Sequence, residues 1–83
     1  MTVCTGNICR SPMGEIVLRA FFQQEGLQDD VRVISSGVSS EEQGNPIDRR
    51  AVKVLRDRGY EIPSNHYAHL VTPEEIKETD LFL

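Results

Sequence analysis

The nine residues Cys4-Thr5-Gly6-Asn7-Ile8-Cys9-Arg10-Ser11-Pro12 constrain this chain more than any other stretch. They separate an apolar-leaning stub, Met1-Thr2-Val3, from an amphipathic segment. Ser11 is placed to N-cap a helix, and Pro12 stands at its first position, where a missing N–H costs nothing. Met13, Ile16, Val17, Ala20 and Phe21 recur at i, i+3, i+4, i+7 and i+8, one apolar helical face, and Gly26 is a natural stop. Gly6 and Asn7 both tolerate left-handed backbone, as a tight loop requires. The chain therefore opens as strand, tight loop and helix, the start of an α/β unit.

The remainder extends that unit. Val31-Arg32-Val33-Ile34-Ser35 is β-branched and reads as a strand. From Ser36 to Pro46, Gly37, Gly44, Asn45 and several serines make a long loop. Asp48 caps a second helix with Ala51, Val52, Val54 and Leu55 turned inward, and Gly59 ends it. Thr72-Pro73-Glu74-Glu75 matches a capping box, and Asp80-Leu81-Phe82-Leu83 reads as a final strand. The order is β-α-β-α-α-β in one domain over residues 1–83. Phe21, Phe22, Leu55 and Phe82 are the core candidates. A chain of 83 residues buries only about 60–65% of its unfolded surface, so the core is thin.

Charge narrows the partners. Nine Lys and Arg against thirteen Asp and Glu leave a net charge of −4. Such a chain is a poor general binder of nucleic acid or anionic membrane, so any anion needs a local site. No apolar run approaches the ~18 residues of a membrane span. The expectation is a soluble, cytoplasmic protein without nucleic-acid or membrane partners. Two cysteines, Cys4 and Cys9, are too few for a disulfide scaffold and share one short segment, which points to chemistry.

The loop supplies that chemistry. Free amides and the positive end of the helix dipole point into it, and Arg10 offers a planar fork for two phosphate oxygens. A thiol at Cys4, inside such a cradle, loses its proton below the free value of about 8.5 and becomes an activated nucleophile. Cys9 has two readings: a redox partner that forms a reversible disulfide with Cys4, or a packing residue at the loop's base. His66 and His69 have the i, i+3 spacing of metal ligands, but no further Cys, His or acid completes a site. They are read as hydrogen-bonding residues of a polar loop. No metal or cofactor is expected.

The segment VCTGNICRSPMGE resembles the phosphate-binding loop of the low-molecular-weight protein tyrosine phosphatases. Supporting similarity runs through Ser35-Ser36-Gly37, Asp48-Arg49-Arg50-Ala51, Val54 to Gly59, and His66-Tyr67-Ala68-His69. The resemblance implies a Rossmann-like parallel sheet of flavodoxin-like order, 2-1-3-4, with flanking helices, and a two-step reaction through a phosphocysteine. By position it makes Cys4 the nucleophile, Arg10 the phosphate clamp and Ser11 the partner of the thiolate. Asn7 holds the loop's strained backbone, Ile8 lines the entrance, and Thr5 to Arg10 wrap the phosphate. The implied partners are a phosphotyrosine protein or small aryl phosphate, and inorganic phosphate or related oxyanions.

This sequence also departs from that family. The family's general acid is an Asp in an Asp-Pro-aromatic motif of the C-terminal half, and no Asp-Pro occurs here. The chain reads as the N-terminal portion, with the C-terminal half absent and a sheet edge at residues 80–83 that could pair with a second copy. The loop after Gly37, where relatives often carry an aromatic, is Val38-Ser39-Ser40-Glu41-Glu42-Gln43-Gly44; its two acids read as a solvated tip. Two other functions use the same loop. An arsenate reductase would need further thiols and, by resemblance, Gln in place of the Ser11-Pro12 step. A non-catalytic oxyanion-binding domain would need no general acid.

Overall fold

A computed structural model describes residues 1–83. Its β-branched and small residues near the start form β1 (Thr2–Cys4), which pairs in parallel with β2 (Ser35–Gly37). The register sets Thr2 opposite Ser35, Val3 opposite Ser36 and Cys4 opposite Gly37. Parallel neighbours need a crossover, and α1 (Arg10–Gln24) supplies it. After β2 come α2 (Arg49–Asp57) and the short α3 (Pro73–Glu78).

The second strand lies later than Val31–Ser35. Ser35 to Gly37 pair with β1 and the Ile34 carbonyl accepts from Thr2 N–H at 2.9 Å, but the carbonyl of Val33 instead accepts from Arg19 Nε of α1 at 2.9 Å. The segment Asp80–Leu83 is likewise not a full strand. Two of its residues bond along the free edge of β1: the Met1 amino group donates to the Leu81 carbonyl at 2.7 Å, Leu83 N–H donates to the Met1 carbonyl at 2.9 Å, and Val3 N–H donates to the Leu83 carbonyl at 2.8 Å.

Helix α1 begins one residue before the expected cap. Cys9 occupies the N-cap position without a side-chain cap bond, so Ser11 and Pro12 lie inside the first turn, both buried. Ser11 does not cap because its hydroxyl is committed to Cys4 and Asn7. The proline remains harmless, since first-turn N–H groups have no helical partner. Gly26, at φ +74°, follows the helix end as expected.

The buried face of α1 is rotated from the apolar stripe. Ser11, Pro12, Glu15 and Ile16 are buried, whereas Val17 and Phe21 are exposed. The core sits on the α2 side, where Ile16, Ile47, Ala51 and Leu55 cluster with Met13, Val52, Tyr60 and Ile62 around them. Leu55 is a core residue as expected, Phe22 is half-buried, and Phe21 and Phe82 lie largely in solvent. Val54 on α2 is also exposed. Asp48 caps α2 as read, accepting from Arg50 N at 3.0 Å and Ala51 N at 3.3 Å. Thr72 and Glu75 form the full capping box of α3. Only 14 of the 83 residues are buried, and Thr2, Asn7, Ser11, Glu15, Ser35 and Ser36 are among them. The polar groups around the Cys4 loop are thus as enclosed as the apolar core.

Candidate active site

The chain leaves β1 at Cys4 and re-enters regular structure at Arg10, and the loop between them closes on the Cys4 sulfur. Asn7 N–H donates to Sγ at 3.3 Å, and the Ser11 hydroxyl lies 3.1 Å from it. Ser11 Oγ also accepts from Asn7 Nδ2 at 2.8 Å. That bond occupies a lone pair and leaves the Ser11 proton free to point at sulfur.

Asn7 is the hub. It is fully buried and holds φ at +59°, the left-handed region that Asn tolerates better than most residues. Its Nδ2 donates to Ser11 Oγ and, at 3.0 Å, to Ser35 Oγ; its Oδ1 accepts from His69 N–H at 3.1 Å. Its carbonyl meets His66 Nε2 at 3.0 Å, so that nitrogen carries the proton. Outer bonds fix the rest of the loop: Val38 N–H to the Cys4 carbonyl, Ser39 N–H to the Thr5 carbonyl and Asp48 N–H to the Ile8 carbonyl. Gly6 does not adopt positive φ, contrary to the expectation for a tight loop. A side chain there would instead press on Glu42, whose Cγ lies 3.0 Å from the site of a Gly6 β-carbon.

These donors set the charge of the thiol. Burial alone pushes the Cys4 thiol up, but the Ser11 hydroxyl and the Ser11, Asn7 and Gly6 amides outweigh it and hold it below its ordinary value. Arg10 is exposed and forms no ion pair, so its guanidinium is free. It lines a cavity of ≈ 270 Å³ with Val3, Cys4, Thr5 and Val38. A larger cleft of ≈ 540 Å³ beside Met1, Leu18 and Leu83 contains no thiol.

Cys9 is an exposed free thiol, which removes the reading of it as a packing residue. Glu41 is a solvated tip, but Glu42 is half-buried. His66 and His69 act through hydrogen bonds on Asn7, and His69 Nε2 further meets Glu75 Oε2 at 2.8 Å. Burial pushes the Glu75 carboxyl up, yet Thr72 N–H and His69 together hold it below the usual carboxylate range. Sequence reasoning gave Ser35 no role. Its position at the start of β2, directly before Ser36-Gly37, was the available signal.

A family model described as low molecular weight phosphotyrosine protein phosphatase matches residues 1–83. The chain belongs to this family. Among relatives of this phosphatase family, the chain is 46% identical over 74 residues to low molecular weight protein-tyrosine phosphatase A of Mycobacterium tuberculosis, covering 89% of this chain and 44% of that one. It is 38% identical over 81 residues to the human low molecular weight phosphotyrosine protein phosphatase, covering 98% and 50%. The crystal structure of YfkJ from Bacillus subtilis superposes with a TM-score of 0.91 at 31% identity, over 98% of this chain and 50% of that one. The architecture is thus the Rossmann-like α/β fold of the low molecular weight phosphatases. The chain spans about half the length of the curated relatives it matches. No helix is long and apolar enough to cross a membrane.

Proposed function

We propose that this chain carries the nucleophile and oxyanion cradle of a phosphomonoester hydrolase that acts on phosphotyrosine or small aryl phosphates. The observation that carries the reading is one arrangement: a Cys4 thiol held by the Ser11 hydroxyl and the Asn7 amide, in a loop that ends at an unpaired Arg10. In the first step Cys4 Sγ attacks phosphorus, the ester P–O bond breaks, and phosphocysteine forms as the alcohol or phenol departs. Loop amides from Thr5 to Arg10 and the Arg10 fork take the equatorial oxygens, whose charge is spread in the transition state. In the second step water attacks phosphorus, inorganic phosphate leaves, and Ser11 steadies the departing thiolate.

The departing oxygen also needs a proton, a contribution of about 10²–10⁴-fold for a poor leaving group. Phenols of low pKa need that proton least. Aryl phosphates should therefore turn over faster on this chain than alkyl phosphates. The mechanism calls for no cofactor.

Rapid-quench reaction with an aryl phosphate tests the reading, with mass spectrometry of the Cys4 peptide. One phosphoryl group on Cys4 and a burst of phenol are expected. Cys4→Ser should abolish both while vanadate still binds. Normal turnover by Cys4→Ser would overturn the assignment. Vanadate binding without any burst would mark an oxyanion-binding domain.

A further inference from the structure

We propose that Glu75, on α3, is a positioning residue for the Cys4 thiolate and acts through His69, Asn7 and the Ser11 hydroxyl. The inference rests on the phosphatase reading above, in which Cys4 is the group to be poised for attack on phosphorus.

The relay is one of hydrogen-bond polarity. The side-chain amide of Asn offers an oxygen that only accepts and a nitrogen that only donates. Which of the two faces Ser11 depends on what holds the other. His69 N–H can only donate, and it meets Asn7 Oδ1 at 3.1 Å. Asn7 Nδ2 is thereby turned toward Ser11 Oγ at 2.8 Å and Ser35 Oγ at 3.0 Å. Ser11 Oγ accepts on that side, so its single proton is left for Cys4 Sγ, 3.1 Å away. A reversed amide would set Oδ1 against both hydroxyls and draw the Ser11 proton off the sulfur. The backbone amide of residue 69 thus sets which way the proton of residue 11 points.

Glu75 holds that residue from the far side. Its Oε1 accepts from Thr72 N–H at 3.0 Å, and its own N–H donates to Thr72 Oγ1 at 3.1 Å. These two bonds complete the capping box of α3, which uses only one carboxylate oxygen. The other oxygen, Oε2, is surplus to the helix and meets His69 Nε2 at 2.8 Å. A carboxylate only accepts, so that ring nitrogen carries a proton. Both side chains are largely withdrawn from water, His69 at 34% and Glu75 at 22% exposure, so the bond is not simply exchanged for solvent.

The His69 backbone has a second anchor. Gly37 N–H donates to its carbonyl at 2.8 Å, and Val71 N–H donates to the Gly37 carbonyl at 2.8 Å. Loss of the Glu75 carboxylate therefore loosens the His69 amide without releasing it. The effect on Cys4 is graded, and smaller than that of removing the Ser11 hydroxyl itself.

The test is the titration midpoint of Cys4, read from its rate with dithiodipyridine against pH, with Cys9→Ser in every protein. Glu75→Ala should raise the midpoint by about half a pH unit, roughly a threefold loss of thiolate below it. His69→Phe, which keeps the backbone amide but offers Glu75 no nitrogen, should do the same. Glu75→Gln still accepts from Thr72 N–H and donates to a neutral His69 ring, and should restore most of the parent midpoint. Thr72→Ala weakens the helix cap but leaves the carboxylate on His69, and should stay near the parent. In a Ser11→Ala background Glu75→Ala should add nothing, because the relay is cut before it reaches sulfur. The other ionisable groups beside the relay, Arg10 in the cavity wall and His66 on the Asn7 carbonyl, are unchanged in all of these proteins. Midpoints of Glu75→Ala and His69→Phe that match the parent overturn the inference. So does an equal shift in Thr72→Ala, or an undiminished shift in the Ser11→Ala background. The phenol burst of the parent is read separately. A burst without a Glu75 shift overturns the positioning role alone, and a shift without any burst overturns the phosphatase reading.

Discussion

Replacing Ser11 with Ala isolates the bond that most distinguishes Cys4 from an ordinary thiol. The Ser11 hydroxyl is 3.1 Å from Sγ and is the strongest of the groups that lower the Cys4 titration. A hydrogen bond to a charged group is worth about 1.5–3 kcal/mol. The site is open on the cavity side, so the lower end applies, and about 1.4 kcal/mol is tenfold in the thiolate population. Raising a thiol's pKa also makes its thiolate more nucleophilic, with a Brønsted slope of about 0.4–0.5, which returns roughly threefold. Two opposite effects result. At pH below the titration of both proteins, Ser11→Ala should react with a disulfide probe roughly threefold more slowly. At pH above both, it should react roughly threefold faster. The assay is the reaction rate with dithiodipyridine against pH, with Cys9→Ser in every protein so that the exposed thiol is silent. Ser11→Thr keeps the hydroxyl and should restore the parent curve. Superimposable curves for Ser11→Ala and parent would refute the reasoning, because the hydroxyl would then contribute nothing to the thiolate. Curves displaced in the same direction at both extremes would point to altered access and would refute it too.

Four further outcomes follow from the same structure. Gly37→Ala places a β-carbon 2.9 Å from the Thr5 carbonyl oxygen and 3.2 Å from Asn7, both parts of the loop, so vanadate affinity should fall sharply in a fluorescence titration. Gly44→Ala, with open space around it, should cost about 1 kcal/mol of backbone strain and keep the affinity. Leu55→Ala removes a side chain that is 2% exposed at the centre of the core and should lower stability by about 2–5 kcal/mol, read as a fall in urea midpoint. The Glu75 carboxyl is held below its ordinary value by Thr72 N–H and His69, against the upward pull of burial. Its contribution to stability is therefore complete above the ordinary Glu range and is lost as pH falls through the lowered value. Glu75→Gln should flatten that acid limb of a melting-temperature profile; an unaltered limb would refute the coupling.

Local patterns in the sequence reached far where the chain's own neighbours decide the outcome. The capping box at Thr72 to Glu75 and the Asp48 cap are contacts between residues two or three apart, so residue type and spacing suffice to find them. The Cys4 loop was legible for a similar reason. Cys4 to Arg10 is one short turn of chain, and its amides, thiol and guanidinium meet wherever a strand runs into a helix. Other features depended on distant segments. The period of α1 was readable, but which side is buried was not, because α2 and residues 47–62 decide where the core lies. The strand slipped from Val31–Ser35 to Ser35–Gly37 because pairing depends on what stands opposite, not on β-branched composition alone. Ser11 was read as a cap, since the rival claims of Cys4 and Asn7 on its hydroxyl exist only once the loop has folded over it. Above all, tertiary structure joined Asn7 to Ser35, His66 and His69, residues 28 to 62 positions away. A residue held at positive φ can form such bonds only when the sheet and the 66–70 segment close around it. The sequence thus determined that a thiol and a guanidinium share one tight loop between a strand and a helix. The fold decided which buried bonds keep that loop in shape, because hydrogen bonds between remote segments leave no periodic trace along the chain.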